Sequence, residues 1–86
     1  MFYVYILKSK KDNNLYVGST NDLRKRFKEH SSGKVNSTKH RLPLELKYYE
    51  SYVSEEDARK REHNLKLSGS ALAQLKSRIQ KSLKTN

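Results

Sequence analysis

The sequence predicts an α+β domain with its elements in the order β-β-α-β-α-α, and three observations carry that prediction. A run of aromatic and β-branched residues, Phe2 to Leu7, is followed after a polar turn by a second apolar stretch that stops at Gly18. Beyond Gly18 the apolar residues change period, from alternation to the i, i+4, i+7 spacing of a helix. After Pro43 they alternate again, before a second helical pattern opens at Ser54.

In the first strand Tyr3, Tyr5 and Leu7 share one face, and Phe2, Val4 and Ile6 the other. Neither face is strongly polar, so this strand is expected to be covered on both sides. Lys8 to Asn14 (KSKKDNN) forms a turn in which Asp12, Asn13 and Asn14 make the local hydrogen bonds that turns favour. Leu15 to Gly18 then returns antiparallel, completing a hairpin. Asn21 or Thr20 caps the first helix, with Asp22 in its first turn, where the helix dipole favours an anion. Leu23, Phe27 and His30 form the buried stripe of that helix, and Gly33 ends it. Residues 31–41 lack periodicity and read as a basic, mobile loop. Pro43 can open a strand but not sit in its middle. Leu44 to Tyr52 is therefore the third strand, with Leu44, Leu46 and Tyr48 on one face.

Ser54 opens the second helix through Ser-x-x-Asp57, with Val53 and Ala58 placed as a hydrophobic staple. This helix runs to about Leu67, where Ser68-Gly69-Ser70 breaks it. Ala71 to about Ile79 is the last helix, with Leu72, Leu75 and Ile79 facing inward. Residues 1–80 make one domain, and 81–86 (KSLKTN) are expected to fray.

At 86 residues and 34% hydrophobic, the chain has room for one modest core. Its longest apolar run is too short for a transmembrane helix and lacks the basic front and cleavage site of a signal peptide. A cytoplasmic location and no membrane partner are the expectation. The absence of cysteine excludes a disulfide framework and a cysteine zinc site. The net charge of +10 points to nucleic acid, where each neutralised phosphate releases counterions. A membrane surface would favour a long helix with a broad apolar face opposite its lysines, and no stretch is so built. Solubility alone would also account for the charge, since pI is a weak footprint by itself.

Candidate chemistry begins with Arg26 and His30, four residues apart and so on one side of the first helix. Arginine suits a phosphate because its planar fork binds two oxygens and keeps its charge. Against this stands a plain solvated face, since Arg24, Lys25 and Lys28 are neighbours, and a histidine on an apolar stripe is most often a satisfied core residue. Glu62 is the second anomaly. Ala58, Glu62 and Leu65 fall at i, i+4, i+7, so a carboxylate occupies the stripe that should face the core. It either pairs with Lys66 at the rim or holds a metal, because a partly buried carboxylate is costly alone. A single carboxylate suits Mg²⁺, which keeps most of its waters and takes further oxygens from a phosphate. The tyrosines are the third group, and Tyr3, Tyr48, Tyr49 and Tyr52 are assigned to the core.

Taken in order, Tyr3-Val4-Tyr5, then Tyr16-Val17-Gly18, then Arg26, His30 and a helical Glu62 resemble the GIY-YIG endonuclease domain. The likeness is strongest to the small stand-alone bacterial members and to the nuclease domain of structure-specific endonucleases. It extends through Thr38, Arg41 and Pro43 to nearly the whole chain. The resemblance implies a three-stranded antiparallel sheet flanked by helices, and a metal-dependent endonuclease acting on DNA, with the substrate structure, and RNA as an alternative substrate, left open. By position it implies Tyr16 as the base that activates water, supported by Tyr5. Arg26 would hold the scissile phosphate and Glu62 a single Mg²⁺ or Mn²⁺ that stabilises the leaving oxygen. His30 falls where members carry histidine or tyrosine. Lys25, Lys34, Lys39, His40 and Arg41 would steer the nucleic-acid backbone. Three departures stand out: Tyr3 replaces the name-giving glycine, Ser19 stands where repair members carry lysine, and Gln74 or Ser77 falls near an asparagine of the last helix. The rival readings are a nucleic-acid-binding module without catalysis and a ribonucleoprotein scaffold. The second leaves the ordered motif set unexplained. A protein partner that supplies affinity or activation stays open.

Overall fold

The computed structural model describes residues 1–85. Its three-stranded antiparallel sheet has β1 (Phe2–Ser9) in the middle, between β2 (Leu15–Thr20) and β3 (Leu44–Tyr52). α1 (Leu23–Ser31) covers one face. α2 (Glu55–Leu67) and α3 (Gly69–Arg78) cover the other, and a short α4 (Gln80–Lys84) follows. This is the α+β fold that the sequence predicts, with one helix more.

Alternation along β1 explains the two layers. Val4 and Ile6 join Val17, Ala58, Leu65 and Leu75 in one core, while Tyr5 and Leu7 join Leu44, Leu23 and Phe27 in the other. A central strand buried on both faces needs apolar side chains at every position, which is what FYVYIL supplies.

β3 departs from simple alternation. Ile6 pairs with Tyr48 but Leu7 pairs with Leu46, so Lys47 is an extra residue, a β-bulge. Leu44 and Leu46 therefore face α1, while Tyr48 packs with the α2 core, not on one face with the leucines as the sequence suggested. Tyr49 is likewise no core residue, being 53% exposed. On the α2 side, Glu50 accepts from the Tyr48 and Tyr52 hydroxyls and from both ends of the Arg61 fork, at 3.0 Å each for the latter. That clamp ties β3 to α2.

Helix ends also differ in detail. Asp22 is the N-cap of α1 and accepts from Lys25 N at 3.0 Å, while the Thr20 hydroxyl is spent on the backbone of Asp22. Ser54 caps α2 as expected, but Val53 is 84% exposed and makes no staple. Ser68 alone ends α2 and caps α3, so the break is a single residue. In α4, read from sequence as part of a fraying end, the Lys8 ammonium donates to Leu83 O at 3.1 Å and Lys47 donates to Thr85 O. Lysines thus satisfy carbonyls that a helix end leaves free. Asn86, the last residue of that expected tail, lies outside the described residues. Residues 32–43 are anchored rather than mobile: Val35 and Thr38 are buried, and Lys39–Arg41 form one 3₁₀ turn. Among the described residues no helix is long and apolar enough to cross a membrane.

Candidate active site

Tyr5 lies opposite Gly18 in the β1–β2 pairing, and the hydroxyl end of its ring lies against that glycine. A Cβ at position 18 would stand 2.5 Å from Tyr5 Cζ and closer still to the hydroxyl oxygen. Glycine is needed here for close approach and not for backbone freedom. Gly18→Ala is expected to cost about 1–3 kcal/mol, because the ring is held at its hydroxyl end and must be displaced. Thermal melting checks it; an unchanged Tm would mean that the ring has room to move.

The same end of that ring is fixed by His30. Nε2 lies 2.8 Å from the Tyr5 hydroxyl and Nδ1 lies 2.8 Å from Thr38 Oγ1, and all three residues are at most 1% exposed. Burial, reinforced by the Arg26 charge, pushes the imidazole pKa below its ordinary 6.5. A neutral ring can serve both contacts, donating at one nitrogen and accepting at the other. Burial also drives the Tyr5 phenol up to about 12, against the opposing influence of the Arg26 guanidinium. Tyr5 and His30 are thus neutral, interior groups. Thr38 came out of a stretch without periodicity, and only the fold reveals that its hydroxyl orients the histidine.

Tyr16 sits on the same face two residue pairs further on, half-buried, at the open edge of the sheet. Its ring packs edge-on to His30, centroids 5.3 Å apart, and its hydroxyl is 3.4 Å from Ser37 Oγ. Arg26 reaches the same region from α1. It donates to Glu29 at 3.1 Å through one nitrogen, which holds the guanidinium pKa above its ordinary value. Another part of its fork reaches toward the Tyr5 hydroxyl, and the remaining donors stay available.

Glu62 belongs to α2, beneath the opposite face, yet β2 is an edge strand and the two faces meet at its rim. The carboxylate accepts from Ser19 Oγ at 2.5 Å and pairs with Lys66 at 2.8 Å. The Lys66 ammonium in turn stands 5.8 Å from the centroid of the Tyr16 ring. Partial burial works against ionisation of Glu62, but the bonds from Lys66 and Ser19 outweigh it and hold the carboxyl below its ordinary 4.5. Ser19, noted above as a departure from repair members, orients the carboxylate; the cation beside Tyr16 comes from Lys66, one helical turn beyond Glu62. Sequence spacing showed Lys66 only as a partner for Glu62.

Does this set fit a divalent cation? Glu62 offers hard oxygens on a carboxylate that stays charged, its side chain 21% exposed and hence open to water. That donor chemistry fits Mg²⁺ or Mn²⁺ held by one carboxylate and waters. Among the described residues no three His, Asp or Glu side chains gather into a fuller cage. Glu62 would hold the ion, and Lys66 would have to yield the oxygen it occupies.

Of the residues expected to steer a nucleic-acid backbone, Lys25, Lys34, Lys39 and His40 are exposed. Lys25 shares a pocket of about 330 Å³ with Arg26, Ser19 and Asn21. Arg41 is partly engaged within the fold. Its fork grips Asp12 in the hairpin turn at 2.8 and 3.2 Å, and its carbonyl accepts from Ser9. It joins the β1–β2 turn to the 3₁₀ turn and has few donors left for phosphate.

Residues 1–81 match the GIY-YIG catalytic domain. A UPF0213 protein of Clostridium perfringens (strain 13 / Type A) is 45% identical over 67 residues, spanning 77% of this chain and 71% of that protein. A second, of Bacillus pumilus (strain SAFR-032), is 43% identical over 65 residues, 74% of this chain and 65% of its own length. The solution NMR structure of a UPF0213 protein from Bacillus halodurans superimposes with a TM-score of 0.57 at 40% identity, covering 90% of this chain and 84% of that one. The ordered tyrosines, glycine, arginine and glutamate lie within the matched span, and the protein belongs to the GIY-YIG family of nuclease-type domains.

Proposed function

We propose that this protein is a divalent-metal-dependent endonuclease that hydrolyses phosphodiester bonds in DNA. In this reading it selects its substrate by structure and serves DNA repair or processing in the cytoplasm. The observation that supports it most is the gathering of groups from separate stretches around Tyr5, whose phenol feels the charges of Arg26, Tyr16 and Glu62. Arg26 binds two oxygens of the scissile phosphate and meets the charge that develops there. In its phenolate form, with the Lys66 ammonium close by, Tyr16 accepts a proton from the attacking water as the water oxygen bonds to phosphorus; the bond to the leaving oxygen breaks and that oxygen departs as an alkoxide, to be protonated by solvent. Tyr5 and His30 are buried, so they act by fixing the wall against which Tyr16 packs rather than by touching substrate. Glu62 would hold a Mg²⁺ or Mn²⁺ ion, which when bound would supply charge neutralisation for the departing oxygen.

The test is a panel of end-labelled duplex, flapped, branched and single-stranded DNA, with matched RNA, in Mg²⁺, in Mn²⁺ and in chelator. Cleavage is expected with metal and none with chelator. Glu62→Gln should abolish product while binding survives, still weakening steeply with salt. One observation favours the rival, a binding module without catalysis: Lys66 already occupies a Glu62 oxygen at 2.8 Å. No product from any substrate in either metal would decide for that rival.

A further inference from the structure

On the same face as Tyr16, but across α1 from it, an open groove of about 510 Å³ lies between the helix and strands β1 and β3. Its size falls in the range of about 300–1,000 Å³ typical of pockets that bury small ligands. The floor is aromatic: Tyr3 and Tyr49 meet edge to face with centroids 6.0 Å apart, and Phe27 lies beside them. The rim is cationic. Arg24 and Lys28 stand one turn apart on α1, and among the described residues neither makes an ion pair. Asp22, the one acid at the rim, has its carboxylate engaged as the cap of α1. Asp22 also lines the pocket that contains Arg26, so groove and candidate active site adjoin across the helix N-terminus.

We propose that this groove is a nucleobase subsite: an unpaired base of the bound strand stacks on the face of Tyr49, with Tyr3 against its edge, while its phosphates meet Arg24 and Lys28. A half-exposed tyrosine with nothing over it offers a flat π surface, and every base has a π face to place there. Two unpaired cations at the rim complement a phosphodiester chain and repel a cationic one, which selects a nucleic-acid strand over a basic peptide. The inference rests on the nucleic-acid reading of the neighbouring site and narrows its substrate. The preferred DNA carries at least one unpaired nucleotide close to the scissile phosphate, as a flap, gap or junction does. A fully paired duplex keeps its bases stacked on each other and cannot fill the groove.

The experiment measures binding in chelator, so that catalysis plays no part. Fluorescently labelled oligo-dT and a fully paired duplex of equal length are titrated with the wild type, Tyr49→Ala and Tyr49→Trp. Tyr49→Ala is expected to weaken oligo-dT binding about 5- to 100-fold and duplex binding less than about twofold, while Tyr49→Trp keeps strand affinity. Equal losses on both probes, or a loss on neither, would overturn the proposal. A strand carrying 2-aminopurine gives a readout that needs no variant: its emission should be quenched on binding the wild type, and unquenched emission in the complex counts against stacking. Cleavage that persists alongside unaltered Tyr49→Ala binding would remove the subsite and leave the nuclease reading intact. Tyrosine-dependent strand binding without cleavage would do the reverse.

Discussion

Arg26→Ala should slow DNA hydrolysis by about 10²–10³-fold, the usual cost of deleting one preorganised group that meets developing charge. The side chain is about a third exposed and engages Glu29 through a single nitrogen, so its charge is available without rearranging the core. The fold should barely register the change, because an exposed pair of this kind is worth about 1 kcal/mol or less. Arg26→Lys separates charge from geometry. It keeps the cation but loses the fork, and should recover only part of the rate. Single-turnover kinetics with a saturating substrate, read beside thermal melts, make the comparison. A loss below tenfold in Arg26→Ala would mean that the guanidinium does not contact the reacting phosphate.

The largest effect on stability is expected at His30. Replacing it with leucine leaves the hydroxyls of Tyr5 and Thr38 buried and without a partner, whereas every buried side-chain polar atom among the described residues now has one. At about 1–3 kcal/mol for each of the two orphaned hydroxyls, the loss is roughly 2–6 kcal/mol. For a domain of this size that is a fall in Tm on the order of 10–50 °C. His30→Gln can keep one of the two contacts and should lose about half as much. The histidine also sets a pH dependence. Its pKa is depressed in the folded protein, so the unfolded chain binds the proton more readily. Its contribution is therefore complete above the ordinary value of 6.5 and shrinks as pH falls toward the depressed one. Asp12, Glu50 and Glu62 are all held below their ordinary values of 3.8 and 4.5, so their losses come only at more acid pH. Melting the wild type at pH values from 7.5 down to 5.5 (an interval of about one unit either side of an unperturbed imidazole) should show a decline that His30→Gln lacks.

Local chemistry made much of this molecule legible in the sequence. The bounds of β3 and the Ser54 cap follow from Pro43 and from a serine three residues before an aspartate, signals carried within a single turn of chain. Burial of His30 and partial burial of Glu62 follow from helical spacing. What spacing could not show were contacts made across the fold. Arg41 looked like a free cation because its partner, Asp12, is 29 residues away in another turn. Thr38 looked like loop because its role depends on His30 being packed above it. Asp22 displaced Asn21 and Thr20 as the α1 cap because the threonine hydroxyl bonds to the backbone next door, a choice among three plausible residues that only geometry makes. Tyr48 and Tyr49 were given the wrong faces for one reason, the unannounced extra residue at Lys47.

That insertion has a consequence for the sheet as a whole. With unbroken alternation, Tyr49 would point toward α2 and α3, and the surface beside Tyr3 would receive the side chain of Tyr48 or Glu50, according to how the strands realigned. Because the chain gains one residue at Lys47, every side chain after it changes sides, and Glu50 goes to Arg61 while Tyr49 comes to rest beside Tyr3. A phase shift of one residue thus sorts acid from aromatic between the two surfaces of the domain.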